Sequence, residues 1–234
     1  MLNISHIIPL ICFWHTVTNQ ISKYDQELIS NNIVSLIHCL LFMTHHNYDY
    51  NVDYAAHMSI GYYTYDLIYI LSCIYKSKSK DELKRRVPFI IHHFIAIYLL
   101  NASQTGESES KYYFLYGYNV LETSNIMLYV SYHLHKKYEN YLHLNIISEF
   151  FQLLWYSYFR IIIFSSFMYT NKTFFFQLDL VTQFIVIILH CMGITWSYKL
   201  VKKNIKNFNI LKELHGYGDG STHSALLNSK CNHD

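Results

Sequence analysis

Val87-Pro-Phe-Ile-Ile-His92-His93-Phe-Ile-Ala-Ile-Tyr-Leu-Leu-Asn101 is the stretch whose reading decides the fold. It is an apolar run just long enough to cross a thinned bilayer, with two adjacent histidines at its centre. An ionisable group at mid-membrane is costly, about 2.5–3.5 kcal/mol for Asp, Lys or Arg on the insertion scale. Such groups turn towards protein or a wet cavity. Read as a membrane helix, this run predicts that other helices bring polar partners to the same depth.

The rest of the chain favours the membrane. Of 234 residues, 52% are hydrophobic and 15% charged, with seven glycines and two prolines. That composition excludes a β-rich or disordered chain. The mean hydropathy of +0.09 is low because polar residues gather into short blocks between apolar runs. Seven runs read as membrane helices, near 4–18, 29–45, 55–75, 87–101, 112–132, 146–168 and 174–198. The first lacks a basic leader and a small-residue cleavage site, so it reads as a helix and not a signal peptide.

Charges in the connections test that count. Lys23, then Lys76, Lys78, Lys80, Lys84, Arg85 and Arg86, then Lys136 and Lys137, then Lys199, Lys202, Lys203, Lys206 and Lys212 all fall on one side. The other side carries only Lys111 and Lys172, with Asp49, Asp53, Glu107 and Glu109. A wrong count would scramble this sorting. The positive-inside rule then predicts cytosolic loops 19–28, 76–86 and 133–145 and a cytosolic C-terminus. Losing the first run would leave six spans in the same orientation. Residues 216–234 read as a flexible tail. Asn101-Ala-Ser and Asn171-Lys-Thr are formal glycosylation sequons, but both hug a helix end and are read as unused.

The runs place Asp66, the His92–His93 pair, Glu122, Arg160 and His190 near one depth. Tyr62 and Asp66 are four apart, on one helix face. Tyr118, Asn119, Glu122 and Asn125 have the spacing of a polar stripe. Two readings stay open. In one, the band is purely structural: Arg160 pairs with Glu122 or Asp66 and the histidines bond helices together. Alternatively, it lines a functional cavity. Cys12, Cys39, Cys73 and Cys191 lie in apolar runs and Cys231 in the tail. No CxxC or Cys/His zinc spacing occurs, so the cysteines read as small buried hydrophobes and no metal is expected. The net charge of +2 gives no sign of nucleic acid.

At these residues the chain resembles the TLC-domain family of multi-span membrane proteins, which includes the ceramide synthases. Six pieces match in order over about residues 29 to 205. Asn32-Ile-Val-Ser-Leu-Ile-His38 resembles the early Ser/His helix, and Ser59-Ile-Gly-Tyr-Tyr-Thr-Tyr-Asp66 the Ser-x-Gly-Tyr…Asp segment. His92-His93 matches the double histidine. Leu121-Glu122-Thr-Ser is similar to the Glu-x-Ser of the non-synthase branch. Phe159-Arg160 matches the sixth-helix Phe/Arg, and Trp196 with Lys199 resembles the closing Trp…Lys. Where synthases carry a His-Asp and a further Asp, this chain has Phe114, Leu115 and Tyr118. The connector from His93 to Glu122 is also shorter. The non-synthase branch is therefore the better match.

The resemblance implies an all-α membrane bundle of about seven transmembrane helices around a central cavity. It implies domains at 1–28 (first helix and loop), 29–205 (TLC-like) and 206–234 (tail), in the endoplasmic reticulum or a related membrane. Two functions follow. One is N-acyl transfer from acyl-CoA to a long-chain amine such as a sphingoid base. His92 or His93 would act as base or acyl acceptor, with Asp66 or Glu122 orienting the imidazole. Arg160 would stabilise an oxyanion or phosphate, and Tyr62, Asn119 and Asn125 would contact substrate. No cofactor is expected beyond acyl-CoA as co-substrate. The other is a non-catalytic lipid-binding or lipid-homeostasis protein. A seven-span receptor ranks below both, since no lysine lies between Phe174 and Tyr198 and neither Asp-Arg-Tyr nor Asn-Pro-x-x-Tyr occurs.

Overall fold

The computed structural model describes residues 4–23, 27–47, 52–105 and 108–216. The tail expected over 216–234 lies outside the described residues from 217 onward, as do Asp49, Glu107 and Cys231. The described residues form only helices and short links. These are α1 (Ile4–Ile21), α2 (Glu27–Asn47), α3 (Val52–Ser77), α4 (Lys80–Thr105), α5 (Ser108–Lys137), α6 (Leu142–Ser157), α7 (Phe164–Thr170), α8 (Lys172–Gln177) and α9 (Leu180–Gly216). A π-helical turn, Tyr158–Ile163, joins α6 to α7 so that the two read as one interrupted helix. The architecture is an all-α bundle.

The helices outrun the apolar stretches that mark them. α4 begins at Lys80, seven residues ahead of the expected run, and contains Pro88 near its start. The expected basic loop 76–86 therefore shrinks to a link at 78–79, with Lys78 at φ 51°. The seventh run departs most. The expected continuous helix over 174–198 is broken, because Leu178 is extended at φ −65°, ψ 153°. Asp179 then caps α9, accepting from the Thr182 amide at 3.0 Å and the Thr182 hydroxyl at 2.5 Å. An aspartate just ahead of an apolar run is a strong helix start, and it outweighed the apolar continuity of Phe174–Phe176.

Three helical segments are long and apolar enough to cross a membrane by length and composition alone: Lys80–Gln104, Leu142–Thr170 and Leu180–Lys212. Ile29–Thr44 is a shorter apolar helix. α3 and α5 hold Asp66, Glu122 and many of the tyrosines. Only 22% of the apolar window of α9 is buried inside the bundle. Leu180, Phe176, Phe184 and Ile162 all point outward. In water such a surface would drive association; against lipid it is the expected exterior. This is a membrane protein.

The bundle has two apolar cores that share α4 and α5. One gathers Trp14, Val34, Phe42, Ala55, Ala56, Ile60, Tyr62, Tyr63, Leu100, Leu115 and Tyr118. The other gathers Ile95, Leu99, Val120, Leu121, Phe164, Val186 and Leu189. Gly61 is what lets α1 reach α3: a Cβ there would sit 2.5 Å from the Leu10 Cβ. At one end of the bundle, buried Glu149 of α6 joins Lys203 of α9 at 2.9 Å and His135 of α5 at 3.3 Å. At the opposite end Lys111 pairs with Asp53.

Candidate functional site

The polar band resolves into three linked groups of side chains, each built by different helices. In the first, Asp66 of α3 sits between α2 and α4. Its Oδ1 accepts from Asn31 Nδ2 at 3.0 Å, and its Oδ2 lies 2.7 Å from His93 Nε2. His93 Nδ1 donates to the Phe89 carbonyl at 2.5 Å. Both acceptors demand a hydrogen, so the two bonds together require a proton between Nε2 and the carboxyl oxygen. Asp66 fixes the ring of His93 as a triad carboxylate fixes its imidazole. Both residues are buried.

The second group surrounds Glu122 of α5, which is 1% exposed. Its Oε1 accepts from the Tyr63 hydroxyl at 2.5 Å, and its Oε2 from the Cys39 thiol at 2.9 Å. His38 Nδ1 stands 3.7 Å from Oε2, while His38 Nε2 bonds Ser59 Oγ at 2.9 Å. The His38 ring stacks on Tyr62 with centroids 4.1 Å apart and planes 15° apart. Tyr62 in turn bonds Ser35 Oγ at 2.6 Å. One acid, one thiol and one imidazole thus share a closed space.

The third group belongs to Arg160, which lies in the π-helical turn and is 2% exposed. It makes no ion pair with Glu122 or Asp66 among the described residues. Its Nε donates to Ser124 Oγ at 2.7 Å, and one terminal nitrogen to the Leu121 carbonyl and Asn125 Oδ1, each at 3.3 Å. The guanidinium also lies 5.4 Å from the Tyr156 ring centroid. Gly193 makes room for it, since a Cβ there would meet the Arg160 Cδ at 3.3 Å. The widened turn of a π-bulge aims this side chain at α5.

These placements sort the expected site residues. His93 and Asp66 are brought together; Asn125 and Arg160 are brought together. Tyr62 bonds Ser35 on α2 and not Asp66. Glu122 bonds α2 and α3 and not the histidine pair. Tyr63 bridges the two, with its ring edge-on to His93 at 5.0 Å and to His92 at 6.0 Å. His92 is half-buried and makes ring contacts only, among the described residues. Asn119 is half-buried with its Oδ1 unpartnered. His190 bonds Ser165 at 3.2 Å.

His38, Cys39, Ser59 and Tyr63 carry roles that the sequence reading did not assign. A signal for α2 was present: Asn31, Ser35 and His38 repeat at intervals of four and three, the same stripe that marks α5. Cys39, next in line, reads as an apolar residue because a thiol leaves no polar signature.

A cavity opens beside this band and not within it. It is lined by Leu99, Leu100 and Ser103 of α4, Tyr113, Phe114, Gly117, Tyr118 and Leu121 of α5, Phe164, Phe167 and Met168 of α7, Phe174 and Phe175 of α8, and Val186 and Leu189 of α9, with Asn171 and Leu178 from the links. The lining is almost wholly apolar. None of the eight expected site residues borders it. Leu121 joins the two regions, since its side chain faces the cavity while its carbonyl receives Arg160.

A protein-family model described as TLC domain matches residues 10–202. No curated protein and no solved structure matches.

Proposed function

We propose, from the premise that this chain belongs to the TLC-domain family, that it binds a membrane lipid by seating an acyl chain in the cavity between α4, α5, α7, α8 and α9. One observation carries this reading: the cavity wall is apolar and aromatic, and Asp66, His93, Glu122 and Arg160 nearby are each hydrogen-bonded to neighbouring side chains. Such a wall offers an acyl chain dispersion contacts and offers a charged head almost nothing. The positions at which the synthases are polar support it as well. Phe114 and Tyr118 are there instead, and both line the cavity. The test is lipid mass spectrometry of the purified protein. A co-purifying acyl-chain lipid at near-stoichiometric amount supports the reading; protein that is folded and lipid-free after mild solubilisation contradicts it.

A second reading is N-acyl transfer from acyl-CoA to a long-chain amine, and His92 favours it. His93 has both ring nitrogens bonded, whereas His92 has none bonded among the described residues and lies against the His93 ring. His92 is then the base or acyl acceptor, and His93 with Asp66 positions it. Arg160 would have to give up a bond to Ser124 or Asn125 to meet a phosphate or oxyanion. Wild-type protein incubated with acyl-CoA and sphingoid bases should yield N-acyl product that His92→Asn loses. A folded wild type with no product across several chain lengths sinks this second reading and leaves the first intact.

The membrane we assign is the endoplasmic reticulum or a related one, with the basic helix ends and the C-terminus in the cytosol. Cysteines placed at 80 and 108 should label from opposite sides; labelling from one side contradicts the orientation.

A further inference from the structure

Beyond lipid binding, we propose that His38, Cys39 and Glu122 form a zinc site that clamps α2 to α5. His38 Nδ1, Cys39 Sγ and a Glu122 oxygen all lie within 4.8 Å of one another. Glu122 Oε2 is 2.9 Å from Cys39 Sγ and 3.7 Å from His38 Nδ1. Ligand atoms of a tetrahedral zinc stand about 3.4 Å apart, given bonds of about 2.0–2.3 Å. The two separations from Glu122 Oε2 differ from that value by a few tenths of an ångström, and the His38–Cys39 separation exceeds it by at most about 1.4 Å, shifts that side-chain torsions supply.

The outer contacts match those a metal-bound histidine and carboxylate keep. A ligating histidine holds its second ring nitrogen in a hydrogen bond, which fixes the tautomer. Here His38 Nε2 bonds Ser59 Oγ at 2.9 Å. Its Nδ1 is buried, has no hydrogen-bond partner, and faces the acid. The ring cannot swing away, being stacked on Tyr62 and edge-on to Trp14 and Tyr63. Glu122 has its other oxygen held by the Tyr63 hydroxyl. An unpartnered imidazole nitrogen in a membrane interior is costly, and a metal bond would satisfy it.

Charge supports the same assignment. A thiolate, a carboxylate and a neutral imidazole sum to −2, so a divalent ion makes the site neutral. A neutral site avoids the desolvation cost of a net charge in the bilayer. On binding, the Cys39 thiol gives up its proton to bulk and the S–H bond to Glu122 is replaced by two metal bonds. The borderline-soft set of sulfur, nitrogen and oxygen suits Zn2+ over Mg2+ or Ca2+. Water completes the fourth position. Because the three residues are at most 2% exposed, the ion enters as α2 and α5 come together.

The test uses full-length protein in detergent. Wild type should hold about one zinc per chain by elemental mass spectrometry. Cobalt-exchanged wild type should show the ultraviolet thiolate-to-cobalt charge-transfer band of a bound cysteine sulfur. Cys39→Ser should lose that band, and His38→Gln should lower zinc content several-fold. Cys73→Ser and Cys191→Ser should leave both unchanged. Folded wild type that takes up neither metal, a cobalt adduct without the thiolate band, or full zinc content in Cys39→Ser and His38→Gln overturns the proposal. If either site variant fails to fold, the wild-type zinc content and cobalt spectrum decide alone.

Discussion

On one side of α5, Glu122 takes hydrogen bonds from Cys39 and Tyr63, and Asp66 holds His93 and Asn31. On the other side, Gly117 and Leu121 look into an apolar cavity walled by Phe164, Phe167, Phe175 and Leu189. The first region is closed, its polar atoms largely spent on neighbours. The second has room and few polar atoms. In lipid, an ionisable residue without a partner is too costly to leave facing a cavity. The bonds that tie α2, α3 and α4 together therefore use up most of the band's binding capacity. Ligand space is found where the side chains are too large and apolar to close on one another.

The strongest way to break this comparison is to remove Arg160, the one residue that links both regions through Leu121. Arg160→Leu leaves Ser124 Oγ without its donor, leaves Asn125 Oδ1 only the 3.5 Å bond from Ser124, and forfeits the Tyr156 contact. We expect a loss of about 3 kcal/mol or more, since each orphaned buried acceptor costs about 1–3 kcal/mol. Combined with Asp66→Asn, the loss should be additive within about 0.5 kcal/mol, because the two belong to separate networks. Coupling well above that in a denaturation cycle would mean that Arg160 and Asp66 are paired after all.

A smaller effect should come from the closed region itself. Asp66→Asn should destabilise by about 1–3 kcal/mol through the lost charge-assisted bond to His93. It should couple strongly with His93→Asn, by about 0.5–3 kcal/mol. Simple additivity between these two would show that the 2.7 Å contact carries little energy.

The open region should respond in the opposite manner. Leu189→Trp fills the cavity and should lower lipid occupancy several-fold. Its stability cost should not exceed the about 1–3 kcal/mol typical of overpacking. Unchanged occupancy in a folded Leu189→Trp would move the lipid elsewhere.

The smallest effect concerns Asp179, the residue after cavity-lining Leu178. Hydrogen bonds from the Thr182 hydroxyl, and then the Thr182 amide, hold its carboxyl below the ordinary range. A depressed folded value stabilises α9 at pH above the unfolded carboxylate value of about 3.9. That stabilisation is lost as pH falls through the folded value. The protection factor of the Thr182 amide, its exchange rate corrected for the intrinsic rate at each pH, should therefore fall in acid, and Asp179→Asn should flatten the dependence. A protection factor that does not change with pH would show the cap to be unused.

Much of this was legible in the sequence. The seven apolar runs fall on helices, and the α5 stripe marks both Glu122 and Asn125. Charge alternation anticipated basic residues at one end, where Lys203 and His135 meet Glu149. Pairings between helices were less legible. Arg160 and Glu122 share a depth, but the π-helical turn sends the guanidinium to Ser124 and Asn125, one turn along α5, and not to the Glu122 carboxylate. Hydropathy could not show the break at Leu178, because a single extended residue and a capping aspartate end a helix without changing the apolar average. Cys39 was read as a hydrophobe since only its neighbours across the bundle reveal the role of its thiol.

The central claim is that the apolar region beyond α5, and not the polar band, holds the lipid. Photo-crosslinking with a diazirine fatty acid, mapped by peptide mass spectrometry with and without excess unlabelled lipid, tests it most directly. Competable adducts should fall on cavity residues of 113–121, 164–168 and 186–189. Competable adducts confined to residues around His92, Tyr63 and Asp66, with none on the cavity wall, would contradict it.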